Sequence, residues 1–145
     1  MSAHAAGAEP PERGAERAVL GQESTAPWEY DDPGEGGTAA VRWRTLVSAD
    51  RTPSSGVSMG VFEVPPGARL APHRHDPQEV YYVTAGEGEV FLDGAWRPVQ
   101  AGDVAYFPGG DVHGARNRGT TQFRIVWIFP VDDYRTVEYE DATDS

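Results

Sequence analysis

GARLAPHRHDPQEVYYVTAG, residues 67–86, and GDVAYFPGGDVHGARN, residues 102–117, decide how this 145-residue chain folds. Together they hold three of its four histidines. The first reads Gly67-x5-His73-x-His75-x3-Glu79-x6-Gly86, the second Gly102-x5-Pro108-x-Gly110-x2-His113-x3-Asn117. Side chains alternate across a strand, so His73 and His75 face the same way and can share one ion. Asp76-Pro77-Gln78 reads as a short connection, after which Glu79 opens the next strand and brings its carboxylate to the same place. His113 arrives from a separate hairpin, just after the Pro108-Gly109-Gly110 bend.

Outward from these segments the chain keeps one texture. From Trp28 on, short runs rich in Val, Phe, Tyr and Trp alternate with Gly, Pro and Asp turn signals, the pattern of an all-β sandwich or barrel. Candidate strands are 41–47, 56–64, 69–75, 79–85, 88–92, 95–99, 104–107, 113–117 and 122–129, and eight or nine strands suit a jelly roll of two antiparallel sheets. Residues 1–27 are rich in Ala, Gly, Glu and Pro with Val19 and Leu20 as the aliphatic anchors, and read as a flexible tail or a dimer arm. Within them, Pro11 to Gln22 suits either a short helix or an arm pairing with a neighbouring subunit. The barrel then occupies 28–139, and 140–145 reads as a solvated acidic tail. His4 lies in the first tail and is expected to be inert.

Composition removes several chemistries. There is no cysteine, hence no disulfide, thiolate nucleophile or thiolate ligand, and any metal site must use nitrogen and oxygen. There is no lysine either, which excludes Schiff-base chemistry on a side-chain amine. A net charge of -11 opposes a nucleic-acid partner, which would need clustered cations. No run approaches the roughly 20 apolar residues that span a bilayer, and no apolar signal-peptide core is visible, so the expected location is the cytoplasm.

Both glycine-framed segments match, at every fixed position, the two motifs of the cupin superfamily, and residues 28–139 resemble a single-domain cupin. The resemblance implies a small conical β-barrel holding one divalent ion on His73, His75, Glu79 and His113, and pairing of two copies into a homodimer. Three imidazoles and a carboxylate suit Fe, Mn, Ni, Zn or Cu, and ligand type alone does not choose among them. In octahedral geometry two positions stay open for water, substrate or oxygen. Asn117, the last motif position, is expected to support a turn rather than to bind the ion.

Strand parity also places Tyr81 on the same face as Glu79, with Tyr82 facing away. The Glu79-x-Tyr81 arrangement resembles that of the short cupin dimethylsulfoniopropionate lyases, in which a tyrosine at this position abstracts a proton beside a metal-bound carboxylate. Segments 43–46, 73–75 with 79–82, and 129–134 share that likeness. The resemblance implies a metal-dependent small-molecule enzyme of lyase or isomerase type, with the ion as Lewis acid and Tyr81 and Glu79 as its catalytic residues. Tyr81 has an alternative reading as a packed barrel aromatic. Other readings of the same shell are an oxygen-dependent dioxygenase, a zinc-dependent cyclase or rearrangement enzyme, and a cupin that only binds its ligand. Candidates for the pocket wall are Met59, Phe62, Tyr106, Phe107, Phe123, Ile125 and Trp127. Arg44, Arg69 and Arg124 are candidate clamps for a substrate carboxylate, and Tyr30 and Trp43 candidates for the barrel mouth.

Overall fold

The computed structural model describes residues 16–30 and 41–143. Eleven strands run through them: β1 (Glu29–Tyr30), β2 (Arg42–Val47), β3 (Ser58–Val64), β4 (Arg69–Arg74), β5 (Glu79–Ala85), β6 (Glu87–Leu92), β7 (Ala95–Gln100), β8 (Val104–Phe107), β9 (His113–Arg116), β10 (Phe123–Phe129) and β11 (Glu140–Asp141). They form two antiparallel sheets, a six-stranded one in the order β1-β2-β3-β10-β5-β8 and a five-stranded one in the order β11-β4-β9-β6-β7. Nine of these strands coincide with the predicted set to within two residues at either end. The additional pairs, β1 and β11, are two residues long and carry too little alternation to be read from sequence.

The core lies between the sheets. In β10 the alternation is complete: Phe123, Ile125, Trp127 and Phe129 are buried, and the residues between them are partly exposed. Trp127 sits directly across from Gly60 on β3, where a Cβ would come within 2.5 Å of the indole. A side chain at that position would therefore displace the largest buried residue of the barrel.

The two motifs are tied to each other at both ends. At one end Gly67 N–H donates to the Asn117 carbonyl at 2.8 Å, and Asn117 N–H to the Ala68 carbonyl at 3.0 Å. At the other, Gly110 N–H donates to the His75 carbonyl at 2.8 Å. Asn117 Nδ2 donates to the carbonyls of Val64 and Thr121, and its Oδ1 accepts from Gly119 N–H, so the side chain braces a turn.

The described residues of both end segments make contacts with the barrel. Residues 16–22 are not helical, and Glu23–Thr25 form a single 3₁₀ turn whose Glu23 carboxylate holds both Arg44 and Arg124. At the other end, Glu140 and Asp141 pair with Arg74 and His73 of β4. These two residues are thus the edge strand of the five-stranded sheet, because β4 offered an unpaired edge that any extended segment can fill. Residues 1–15, including His4 and the start of the proposed helix, 31–40 and 144–145 lie outside the described residues.

Candidate metal centre

His73, His75, Glu79 and His113 converge, their candidate ligand atoms all within 4.8 Å of one another. β4 supplies His73 and the turn after it His75, β5 supplies Glu79 from its first position, and β9 supplies His113. None exposes more than 5% of its surface.

An irregularity in β4 makes this convergence work. Arg69 pairs with Arg116 and Leu70 with Ala115, but the register then slips, and His73 pairs with His113. Leu70 faces the core. Continued alternation from it would have turned Arg74 inward and both histidines outward. The bulge at Ala71 and Pro72 inverts the parity, so that Pro72 and His73 are both buried and Arg74 is exposed. Proline lacks the N–H that a regular ladder needs and is at home there. Gly114 makes room for the bulge from the facing strand: a Cβ on it would stand 2.8 Å from the Leu70 carbonyl and 3.1 Å from Pro72 N. Gly114→Ala is therefore expected to cost about 1–3 kcal/mol of stability and to weaken metal binding in parallel, because the bulge aims His73. Urea unfolding and a metal titration check both.

Each imidazole is held from behind in the same way. His73 Nδ1 donates to the Ala71 carbonyl at 2.8 Å, His75 Nδ1 to Pro77 at 2.8 Å, and His113 Nδ1 to Asp111 at 2.9 Å. A carbonyl only accepts, so each Nδ1 carries a hydrogen, and in the tautomer that suits a metal an Nε2 lone pair turns inward. Burial, and after it the neighbouring His113, keeps the His73 imidazole from protonating until well below the usual histidine range.

These lone pairs meet another acceptor. Glu79 Oε1 lies 2.8 Å from His113 Nε2 and 3.2 Å from His75 Nε2, and Glu79 Oε2 is buried with no hydrogen-bond partner among the described residues. Acceptors converging in a low-dielectric interior are unfavourable unless something positive lies between them. A donor set of three imidazoles and one carboxylate, each imidazole held through its Nδ1, fits a divalent transition ion.

The surrounding aromatics sort the earlier candidates. Tyr81 is buried, with its ring 5.8 Å from that of His113 and its hydroxyl unpartnered among the described residues. Burial first, then the Glu79 charge and Tyr139, push its hydroxyl well above the usual tyrosine range. Phe107 stacks on His113 at 4.5 Å, Phe129 meets His75 edge-on at 5.1 Å, and Phe62 packs on Tyr81 at 5.2 Å. Phe123, Ile125 and Trp127 are ordinary core, whereas Tyr106 points out to solvent and Met59 faces away, opposite Ile128. Trp43 is core and Tyr30 is exposed. Arg44 and Arg124 serve Glu23, and Arg69 lies at the far end of β4 from the histidines.

Sequence reading missed Tyr139. Its ring lies 5.3 Å from His73 and 5.1 Å from His75, covering the ligands from the C-terminal segment. Beside it opens a cavity of about 460 Å³ bounded by Arg74, His75, Asp76, Gly110 and residues 138–140. No motif spacing marks Tyr139, because it reaches the site only through the pairing of β11 with β4.

Comparison with known proteins agrees with this geometry. A family model described as a cupin domain matches residues 60–129. A dimethylsulfoniopropionate lyase of Ruegeria pomeroyi is 35% identical over 111 residues, which cover 74% of this chain and 72% of that protein. An oxalate-binding protein of Thermotoga maritima is 29% identical over 64% of this chain and 78% of that one. Among solved structures, a polyketide cyclase of Streptomyces resistomycificus superposes with a TM-score of 0.70 over 87% of this chain and 86% of its own, at 19% identity, a likeness of fold alone.

Proposed function

The chain belongs to the cupin family, and from that premise we propose that it is a metal-dependent lyase acting on a small carboxylate. One observation carries the reading. Tyr81 places a buried hydroxyl, unpartnered among the described residues, on the same inner face as Glu79 and beside His113.

His73, His75, Glu79 and His113 would hold the ion, which when bound supplies Lewis acidity toward a substrate carboxylate and lowers the pKa of nearby acids. The residues around it do the rest. Three backbone carbonyls hold the Nδ1 atoms and so orient the imidazoles, with each Nε2 aimed at the common centre. Phe62, Phe107 and Phe129 exclude water. Burial and Glu79 by themselves hold the Tyr81 hydroxyl protonated. With the charge of the bound ion offsetting them, Tyr81, having released its own proton to solvent, would as phenolate be the general base that takes the proton α to the carboxylate. As the Cα–H bond breaks, its electron pair forms the carbon–carbon double bond and the bond from Cβ to the leaving group breaks. The R. pomeroyi lyase motivates the choice of a sulfonium leaving group as the first to test.

The test is turnover of dimethylsulfoniopropionate by the metal-loaded protein, read as dimethyl sulfide, in air and under strict anaerobiosis. Equal rates in both are expected, since the elimination consumes no oxygen. Product formed only in air would move the protein to the dioxygenases. Tight binding of the substrate without product would make it a ligand-binding cupin.

A further inference from the structure

Arg74 stands between two ligands in sequence, yet the β4 bulge turns it away from them, to the mouth of the site. There its guanidinium grips Glu140 with two parallel bonds, Nε to Oε2 at 3.0 Å and Nη2 to Oε1 at 2.8 Å. Glu140 follows Tyr139, the ring lying on His73 and His75. The segment 138–143 also pairs through the two residues of β11 with β4, donates from Ala142 N–H to the Pro72 carbonyl at 3.0 Å, and packs Tyr139 against the edge of the core. Its root is firmer: Val137 is buried, and Tyr134 N–H, in the 3₁₀ turn before it, donates to Ser48 Oγ at 3.1 Å.

The four residues are therefore buried, and the cavity outside reaches His75 between Arg74, Glu140 and Tyr139. A small molecule that reaches it stands beside His75 and the Tyr139 ring, and Arg74 is the arginine it meets. Resting on the reading of a carboxylate substrate, we infer that Arg74 and Glu140 form an exchangeable latch. The substrate carboxylate takes the place of Glu140 on Arg74, and the released segment 138–143 swings Tyr139 off the histidines. A fork geometry for a carboxylate is already built, and a carboxylate of this chain occupies it. Arg74 and Glu140 are both largely exposed, with side chains 47% and 68% accessible, so solvent screening makes the exchange easy. The strap is short, and beyond its root it meets the core through the partly buried Tyr139, which makes it a low-stability unit able to open while the barrel stays folded.

The chain has no cysteine, so Arg74→Cys combined with Glu140→Cys, on facing positions of β4 and β11, creates a single bridgeable pair. Zinc-loaded protein is challenged with 1,10-phenanthroline, a neutral chelator, and exchange of the Ala142 amide is followed alongside. The oxidised pair should release zinc at least about tenfold more slowly than the reduced pair, and equal rates overturn the latch. Acetate should speed release from the parent protein. Arg74→Gln should release faster by about two- to fivefold without acetate and ignore its addition. Acetate that acts equally on both proteins, or on neither, also overturns the proposal. If the protein retains no zinc, the metal reading fails by itself. Ala142 exchange then decides the latch, which is refuted if acetate leaves that exchange unchanged in the parent.

Discussion

Glu79→Gln is expected to strip the centre of metal and, at the same time, to make the metal-free protein more stable. The carboxylate is the one anionic group of the four-residue cluster, and the ion loses both a ligand and charge compensation when it goes. Affinity should fall by at least about a hundredfold, beyond the usual cost of losing a supporting group. Metal content after dialysis is the direct readout. In chelator the sign reverses. Glu79 Oε1 faces the Nε2 lone pairs of His75 at 3.2 Å and His113 at 2.8 Å, and a carboxamide of the same shape can present its NH₂ to both. Two acceptor contacts become hydrogen bonds, each worth about 0.5–1.5 kcal/mol net, for a gain of about 1–3 kcal/mol in denaturant unfolding. The parent protein should instead gain about 2.7 kcal/mol from metal at a hundredfold excess over Kd. A Glu79→Gln protein that keeps its metal, or is less stable than the parent in chelator, would show that the cluster is a hydrogen-bonded core group.

Tyr81→Phe is the second large effect, and here too activity and stability should move apart. The substitution keeps the ring that packs on Phe62 and Phe107 and removes the hydroxyl alone. A general base contributes about 10²- to 10⁴-fold, so kcat should drop by that factor with metal content unchanged. Stability should hold or rise, because a buried hydroxyl without a partner costs about 1–3 kcal/mol of desolvation. Such a trade of stability for function is what a site residue is expected to show. The two readings of Tyr81 separate on this point: a packed aromatic loses neither turnover nor metal on becoming Phe, and near-normal turnover would remove Tyr81 from the mechanism.

The centre was unevenly legible in the sequence. The donors themselves stood out because their spacing is short and local: one residue between His73 and His75, a three-residue connection to Glu79, then a glycine-rich bend before His113. Tyr81 and Tyr82 were sorted by the same alternation, and the structure has the first buried and the second exposed. The arginine clamps went differently. Arg44 and Arg124 were candidates by charge alone, and a single carboxylate from the N-terminal segment, Glu23, holds both. Arg74 was passed over, although it is the arginine at the mouth, because its direction depends on a bulge.

The sequence alone determined the β architecture, the four residues that cluster as candidate donors and the side of β5 that Tyr81 takes, since each follows from a period of two and from glycines and prolines acting on their immediate neighbours. The tertiary structure decided which way β4 presents those donors. The parity inversion at Ala71 and Pro72 requires Gly114 on a facing strand, and no local pattern in β4 encodes it. It likewise decided that an acidic stretch at the far end of the chain closes the site. β11 has no strand propensity of its own and exists because the open edge of β4 pairs with it, which brings Tyr139 over the histidines and Glu140 onto Arg74.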